Sequence, residues 1–198
     1  MGSQNGQKRT ARTSNVEQCS LHVMQRRGDR KEIFFSKFSR MNFLAELSVL
    51  RAKFDFRLYS YCLMPNHIHL IMGPGESEDL PRFNLGLAEL VGRRTTIGRE
   101  HPSIATHIVP IHSDEVLLAT ARYHDLNAVH AGIVRQPEAF EWSSYRFRVG
   151  LSVSPRMDLD PGFLALGETS ERRQMEYREF VRHRLNRPKR VRGRAAGW

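Results

Sequence analysis

Cysteine is scarce in this chain. Only Cys19 and Cys62 occur in 198 residues, and they form no Cys-x-x-Cys pair. That argues against a zinc ribbon and against a disulfide-stapled secreted scaffold, and it suits a reducing cytoplasm. Long apolar runs are missing as well. With no stretch of 18 apolar residues, neither a transmembrane helix nor a membrane partner is expected. The N-terminal segment is polar and basic and has no apolar h-region, so no secretory signal is read there. Acidic residues are outnumbered: 21 Asp and Glu face 31 Lys and Arg, a net charge of +10. Such a surface attracts a polyanion, nucleic acid first, although charge alone is equally well explained by solubility. No internal repeat is present.

The chemistry is concentrated in Tyr61-Cys-Leu-Met-Pro-Asn-His-Ile-His-Leu-Ile-Met72. The apolar run reads as a strand, and a spacing of two puts His67 and His69 on one face, about 7 Å apart at the backbone. Two imidazoles so placed are a ready pair of metal ligands. A His-x-His pair by itself is a weak signal, since a structural pair or chance gives the same pattern. Further on, Arg122-Tyr-His-Asp-Leu-Asn127 reads as helix, which sets Tyr123 and Asn127 one turn apart on a shared face. A lone Tyr on a helix is usually core packing. A buried amide, by contrast, needs a partner, and a divalent cation held by the two histidines would supply one. Tyr123 as nucleophile, with His67, His69 and Asn127 around Mg²⁺ or Mn²⁺, is a coherent set for phosphoryl transfer. Mn²⁺ accepts imidazole more readily than Mg²⁺ does.

The remaining pattern predicts strands at Ser20–Met24, Phe56–Met64, His67–Met72 and His107–Ile111. Helices are predicted from about 40 to 54, 79 to 96, 114 to 131 and 171 to 185, with Ser113 as an N-cap and Gly132 as a stop. The order β, α, β, β, α, β predicts an α+β, ferredoxin-like antiparallel sheet with helices packed on one face. The division expected is a disordered basic tail over 1–18, one catalytic domain over 19–150, a helical extension over 151–185 and a basic flexible tail over 186–198.

Several basic side chains are candidates for holding nucleic acid. Arg26, Arg27 and Arg30 read as a basic turn near the active face. Arg93 and Arg94 lie on the second helix, and Arg187, Lys189 and Arg190 lie in the tail. A solvated surface explains each almost as well. His22, on the first strand, could face the site but reads more readily as structural or DNA-contacting, and His130 reads as a partner of its helix dipole.

Four segments resemble the REP-associated tyrosine transposases, within the single-tyrosine HUH transposases of prokaryotic insertion sequences. They are Leu21-His-Val-Met-Gln-Arg-Arg-Gly28, Tyr61 to Leu70, Arg122-Tyr-His-Asp-Leu-Asn-Ala-Val-His-Ala-Gly132 and Trp142-Ser-Ser-Tyr145. The resemblance implies an HUH endonuclease-type fold, with Tyr123 as nucleophile and His67, His69 and Asn127 as ligands of Mg²⁺ or Mn²⁺. The substrate it implies is single-stranded or hairpin DNA made by palindromic repeats, cut through a 5′-phosphotyrosine link in a cytoplasmic, nucleoid-associated setting. Monomer and homodimer both stay open. A domesticated hairpin-binding protein without catalysis is the alternative, and an RNA-binding ferredoxin-like domain is a third. The sequence departs from the family twice: Ala128 and His130 replace a usual Pro and Arg, and 103–110 lacks a usual Trp-Arg pattern. The first bears on helix geometry or a phosphate contact, the second on hairpin recognition.

Overall fold

The structure is a computed structural model that describes residues 19–73, 79–95, 102–153 and 157–185. The elements run β1 (Ser20–Arg27), α1 (Lys37–Lys53), β2 (Leu58–Leu63), β3 (His67–Met72), α2 (Leu80–Thr95), β4 (Ile104–Ile111) and α3 (Asp114–His130). Short helices α4 (Tyr145–Arg148) and α5 (Pro161–Leu164) lead to α6 (Ser170–Leu185). The four strands form one antiparallel sheet in the order β2-β3-β1-β4. This is the ferredoxin-like topology expected from the element order.

Strand alternation gives the sheet two unlike faces. Leu21, Val23, Ile68, Leu70 and Met72 share one face and pack with Phe43 and Leu47 of α1 and Phe83, Leu87 and Val91 of α2. Each such side chain, fully buried, contributes about 1.5–3 kcal/mol before conformational entropy is charged against it. Helix α1 starts where Ser36 Oγ accepts the Ser39 amide at 3.1 Å. It can approach α2 closely because Gly86 has no Cβ; one built there would lie 2.7 Å from Leu50 Cδ1.

The opposite face carries His22, Met24, Arg26, His67, His69 and Ile71, set by the registers Met24↔His69 and Arg26↔His67. Helix α3 packs on this face, where Leu117 and Ala121 meet Tyr59, Ile71 and Ile111, and Ala128 meets Cys62, Met64 and Phe140. So α1 and α2 share one face as expected, and α3 adds a layer on the other. The outer side of α3 is covered in turn, because Leu126 joins Tyr145, Val149, Phe163, Tyr177 and Val181 in a further core. Ser113 Oγ caps α3 by accepting the Val116 amide, and Gly132 leaves it at φ +71, a conformation glycine adopts at little cost.

The Trp142–Ser144 segment runs along the outer edge of β2. Leu63 N donates to Trp142 O at 2.8 Å and Ser144 N donates to Tyr61 O at 3.0 Å. An otherwise bare strand edge is thereby paired.

Among the boundaries that differ from the expectation, two bear on the site. Strand β1 extends through Gln25, Arg26 and Arg27, which the sequence reading placed in a turn, because β1 is central and its backbone is paired to β3 and β4 on both sides. Strand β4 begins at Ile104, not His107, because the lengthened β1 pairs Gln25, Arg26 and Arg27 with Thr106, Ala105 and Ile104. It lies at the sheet edge, where Pro110 costs no needed ladder bond.

Candidate active site

The half-open face of the sheet gathers the imidazoles. The His67 and His69 rings lie 4.8 Å apart, nearly edge to face. Asn66 Oδ1 sits 2.7 Å from His67 Nδ1. A carbonyl oxygen only accepts, so Nδ1 carries the proton and the lone pair of His67 is on Nε2. His69 is 2% exposed; its Nδ1 lies 3.1 Å from His22 Nε2, and its Nε2 is buried without a hydrogen-bond partner. Tyr123 is 48% exposed, and its ring stands 5.7 Å from that of His69. One turn along α3, Asn127 is buried and its amide nitrogen has no hydrogen-bond partner.

Burial governs the charge state of these rings. It pushes the His67 pKa down to about 4, helped by the Arg26 guanidinium. His69 is pushed down to about 2, by burial first and then by His67, His22 and Arg26. Burial likewise lowers His22, and burial followed by His69 and His22 holds His124 well below the usual range. The site is therefore a set of neutral imidazoles with lone pairs to give. That donor set of neutral imidazoles fits a divalent cation, with His67 and His69 among the residues that would hold it; the orphaned Asn127 atom is an amide nitrogen, a donor, and adds no ligand by itself.

Two further histidines join this site, His22, which the sequence allowed to face it, and His124, which the sequence did not place there. Nitrogens of His22, His69 and His124 lie within 4.8 Å of one another. Behind His124 runs a buried chain: Nδ1 is 3.0 Å from Ser60 Oγ, which is 3.0 Å from Ser144 Oγ. Ser144 Oγ donates to Asp125 Oδ1 at 3.2 Å, and Tyr177 Oη donates to Asp125 Oδ2 at 2.7 Å. Burial raises the Asp125 pKa to about 6, with Arg148 opposing. The signal for His22 was available, since it has the same strand parity as Arg26. The signal for His124 was not, because it needs the position of β2 under α3. Cys62 is fully buried and its thiol pKa is raised by burial, which fits the small core residue expected there.

The arginines separate by face. Arg26 stands opposite His67 on the site face, and Arg30 is exposed in the following turn, with its carbonyl accepting from Asn66. Arg27 is corrected: it points to the core face, is 3% exposed, and is held by Asp29 at 2.6 Å and by Thr95 O at 3.2 Å. Arg93 and Arg94 lie apart from the histidine face. They pair with Glu46 of α1 at 2.7 and 2.8 Å, on the side of the sheet away from the histidines. Arg187, Lys189 and Arg190 lie outside the described residues. No helix among the described residues is long and apolar enough to cross a membrane.

Comparison with protein families matches residues 15–106 to the family described as "Transposase IS200 like". The match spans β1 to the start of β4 and includes His22, His67 and His69, while Tyr123 and Asn127 lie beyond it. Among solved structures, the chain is similar to a REP-associated tyrosine transposase bound to a REP hairpin. The TM-score is 0.56 at 12% identity, over 73% of this chain and 94% of that one. At that identity the likeness carries the fold. Comparison with curated proteins gave no match. The chain thus has the fold of a tyrosine transposase and, over its first half, the sequence pattern of the IS200-like transposases. The resemblance read from the sequence is borne out.

Proposed function

We propose that the protein is a metal-dependent single-stranded DNA endonuclease and strand transferase that acts on hairpin DNA, with Tyr123 as nucleophile. The observation that carries this reading is a half-exposed phenol beside a neutral imidazole pair, His69 buried and His67 half-buried. A phenol in the core would be packing, whereas this one is open to a polymer on one side and faces His69 on the other.

In this reading Tyr123 Oη gives its proton to solvent and attacks the scissile phosphorus. The P–O3′ bond breaks, the 3′ oxygen takes up a proton, and a 5′-phosphotyrosine ester remains. A second 3′-OH then attacks the ester, which rejoins DNA and restores the phenol. The ester conserves the bond, so no nucleotide triphosphate is required. A bound Mg²⁺ or Mn²⁺ supplies charge stabilisation at the phosphate oxygens. Asn66 fixes the His67 tautomer. Arg26 and Arg30 flank the path of the backbone and position its phosphates. The fold of the hairpin-bound transposase and the net charge of +10 support hairpin DNA as substrate. A DNA substrate in turn fits a cytoplasmic protein.

The test is Tyr123→Phe with labelled single-stranded hairpin oligonucleotides and Mn²⁺. On a denaturing gel the wild type should give a metal-dependent covalent adduct, and the variant should bind DNA with nearly unchanged affinity and give none. Binding by the wild type without any adduct would favour a domesticated hairpin-binding protein instead.

A further inference from the structure

His22, His69 and His124 come from three separate elements, β1, β3 and α3, yet their nitrogens converge within 4.8 Å. His69 and His124 are 2% and 0% exposed, and each has one ring nitrogen that is buried without a hydrogen-bond partner. Orphaned buried nitrogens are costly unless something satisfies them. The proton chain behind His124 fixes which nitrogen is available. Asp125 can only accept from Ser144. With Ser144 Oγ donating to Asp125 and not to its longer alternative acceptor, Tyr61 O at 3.4 Å, Ser144 accepts from Ser60, and Ser60 from His124 Nδ1–H. The lone pair of His124 is left on Nε2, the orphaned atom. A ligating histidine whose other nitrogen is tied to a polar partner is the usual arrangement around a metal.

We infer that His22, His69 and His124 form a site for a transition-metal ion of the Zn²⁺ class, a second ligand set that shares only His69 with His67, His69 and Asn127. Three neutral imidazoles with no oxygen donor select against Mg²⁺ and for Zn²⁺ or Co²⁺, with an open fourth position. Across a tetrahedral ion with bonds of about 2.05 Å, nitrogens stand about 3.4 Å apart. The widest pair therefore closes by at most roughly 1.4 Å, which side-chain rotation supplies. Because a neutral His69 has one lone pair, it serves one ion at a time. Occupancy of the triad withdraws it from the His67 and Asn127 set, so the two sites exclude each other. The ion would also tie α3, and with it Tyr123, to two strands of the sheet.

The test uses the full chain, stripped of metal and titrated with Co²⁺ alone and then Zn²⁺ alone. Visible absorption reports low-coordinate nitrogen ligation, and calorimetry reports affinity and stoichiometry. The wild type and His67→Ala should each bind one equivalent with the same spectrum. His22→Ala should lose the spectrum and bind about 100-fold or more weakly, at or beyond the upper end of what disturbing an outer-shell partner costs. His124→Gln should do the same, with circular dichroism confirming that both variants are folded. If His22→Ala keeps the spectrum while His67→Ala loses it, the ion sits on the other ligand set and the inference is overturned, with the proposed nuclease untouched. Should neither Co²⁺ nor Zn²⁺ bind His67→Ala, the inference also fails.

Discussion

A phenol is a weak nucleophile without a metal or a base to help it, so Tyr123 depends on its surroundings. Its ring neighbours are the imidazoles of His69 and His124. The same depressed histidines make the fold sensitive to acid. A histidine whose folded pKa lies below its unfolded value of 6.5 binds fewer protons in the native state, so stability rises with pH across that interval. His67 at about 4 and His69 at about 2, with His22 and His124 also lowered, all act in this direction. Asp125, raised to about 6 from 3.8, acts oppositely: the stability it adds at low pH is lost as pH rises through that window. Four groups outweigh one. Metal-free protein should hold its melting temperature above pH 6.5 and lose it steadily between pH 6.5 and 4. A melting temperature unchanged across that range would show that the cluster is not buried and neutral.

At the scale of elements, α3 was legible at its ends and obscure in its middle. Ser113 and Gly132 mark the boundaries by local chemistry, a hydroxyl cap and a positive φ, and both are where the sequence put them. The middle carries no single apolar stripe because the helix is covered on two sides, by the sheet and by α4 to α6. Its buried His124 and Asp125 are paired by Ser60 and Ser144, residues 64 and 19 positions away, and no local rule reveals such partners. Strand β3 was fully legible, since its apolar alternation and its two histidines obey the same period. The Trp142-Ser-Ser-Tyr145 segment was recognisable as a motif, but its structural work, pairing the edge of β2 and holding Asp125, was not. Ala128 keeps α3 continuous where a proline would lack the amide, and it fits tightly against Cys62 and Phe140. Behind this layer, Arg148 is buried with Asp160 at 2.7 Å and donates to Tyr59 O at 2.6 Å. Arg148→Met leaves Asp160 as an unpaired buried charge, and chemical denaturation should show a loss of about 3–5 kcal/mol. A loss below about 1 kcal/mol would mean that the pair is solvated.

For the whole molecule, the net charge predicted a polyanionic partner but not which arginines meet it. That depends on the two faces of the sheet. Parity within β1 separates Arg26, on the face of His22, from Arg27, on the face of Val23, once the strand is known to run that far. Arg93 and Arg94 instead clamp α2 to α1 through Glu46. Arg26→Ala should therefore weaken single-stranded DNA binding and lower the salt slope by about 1, while Arg93→Ala should leave both unchanged. Equal effects from the two would place DNA on a different surface. The central claim is that one tyrosine holds the 5′ end of cut DNA. The most direct measurement is protease digestion of the covalent adduct, followed by mass spectrometry and identification of the attached DNA fragment. The account predicts one modified peptide, with Tyr123 esterified to the 5′ phosphate of the downstream fragment. Attachment at another residue, or through a 3′ phosphate, would contradict it.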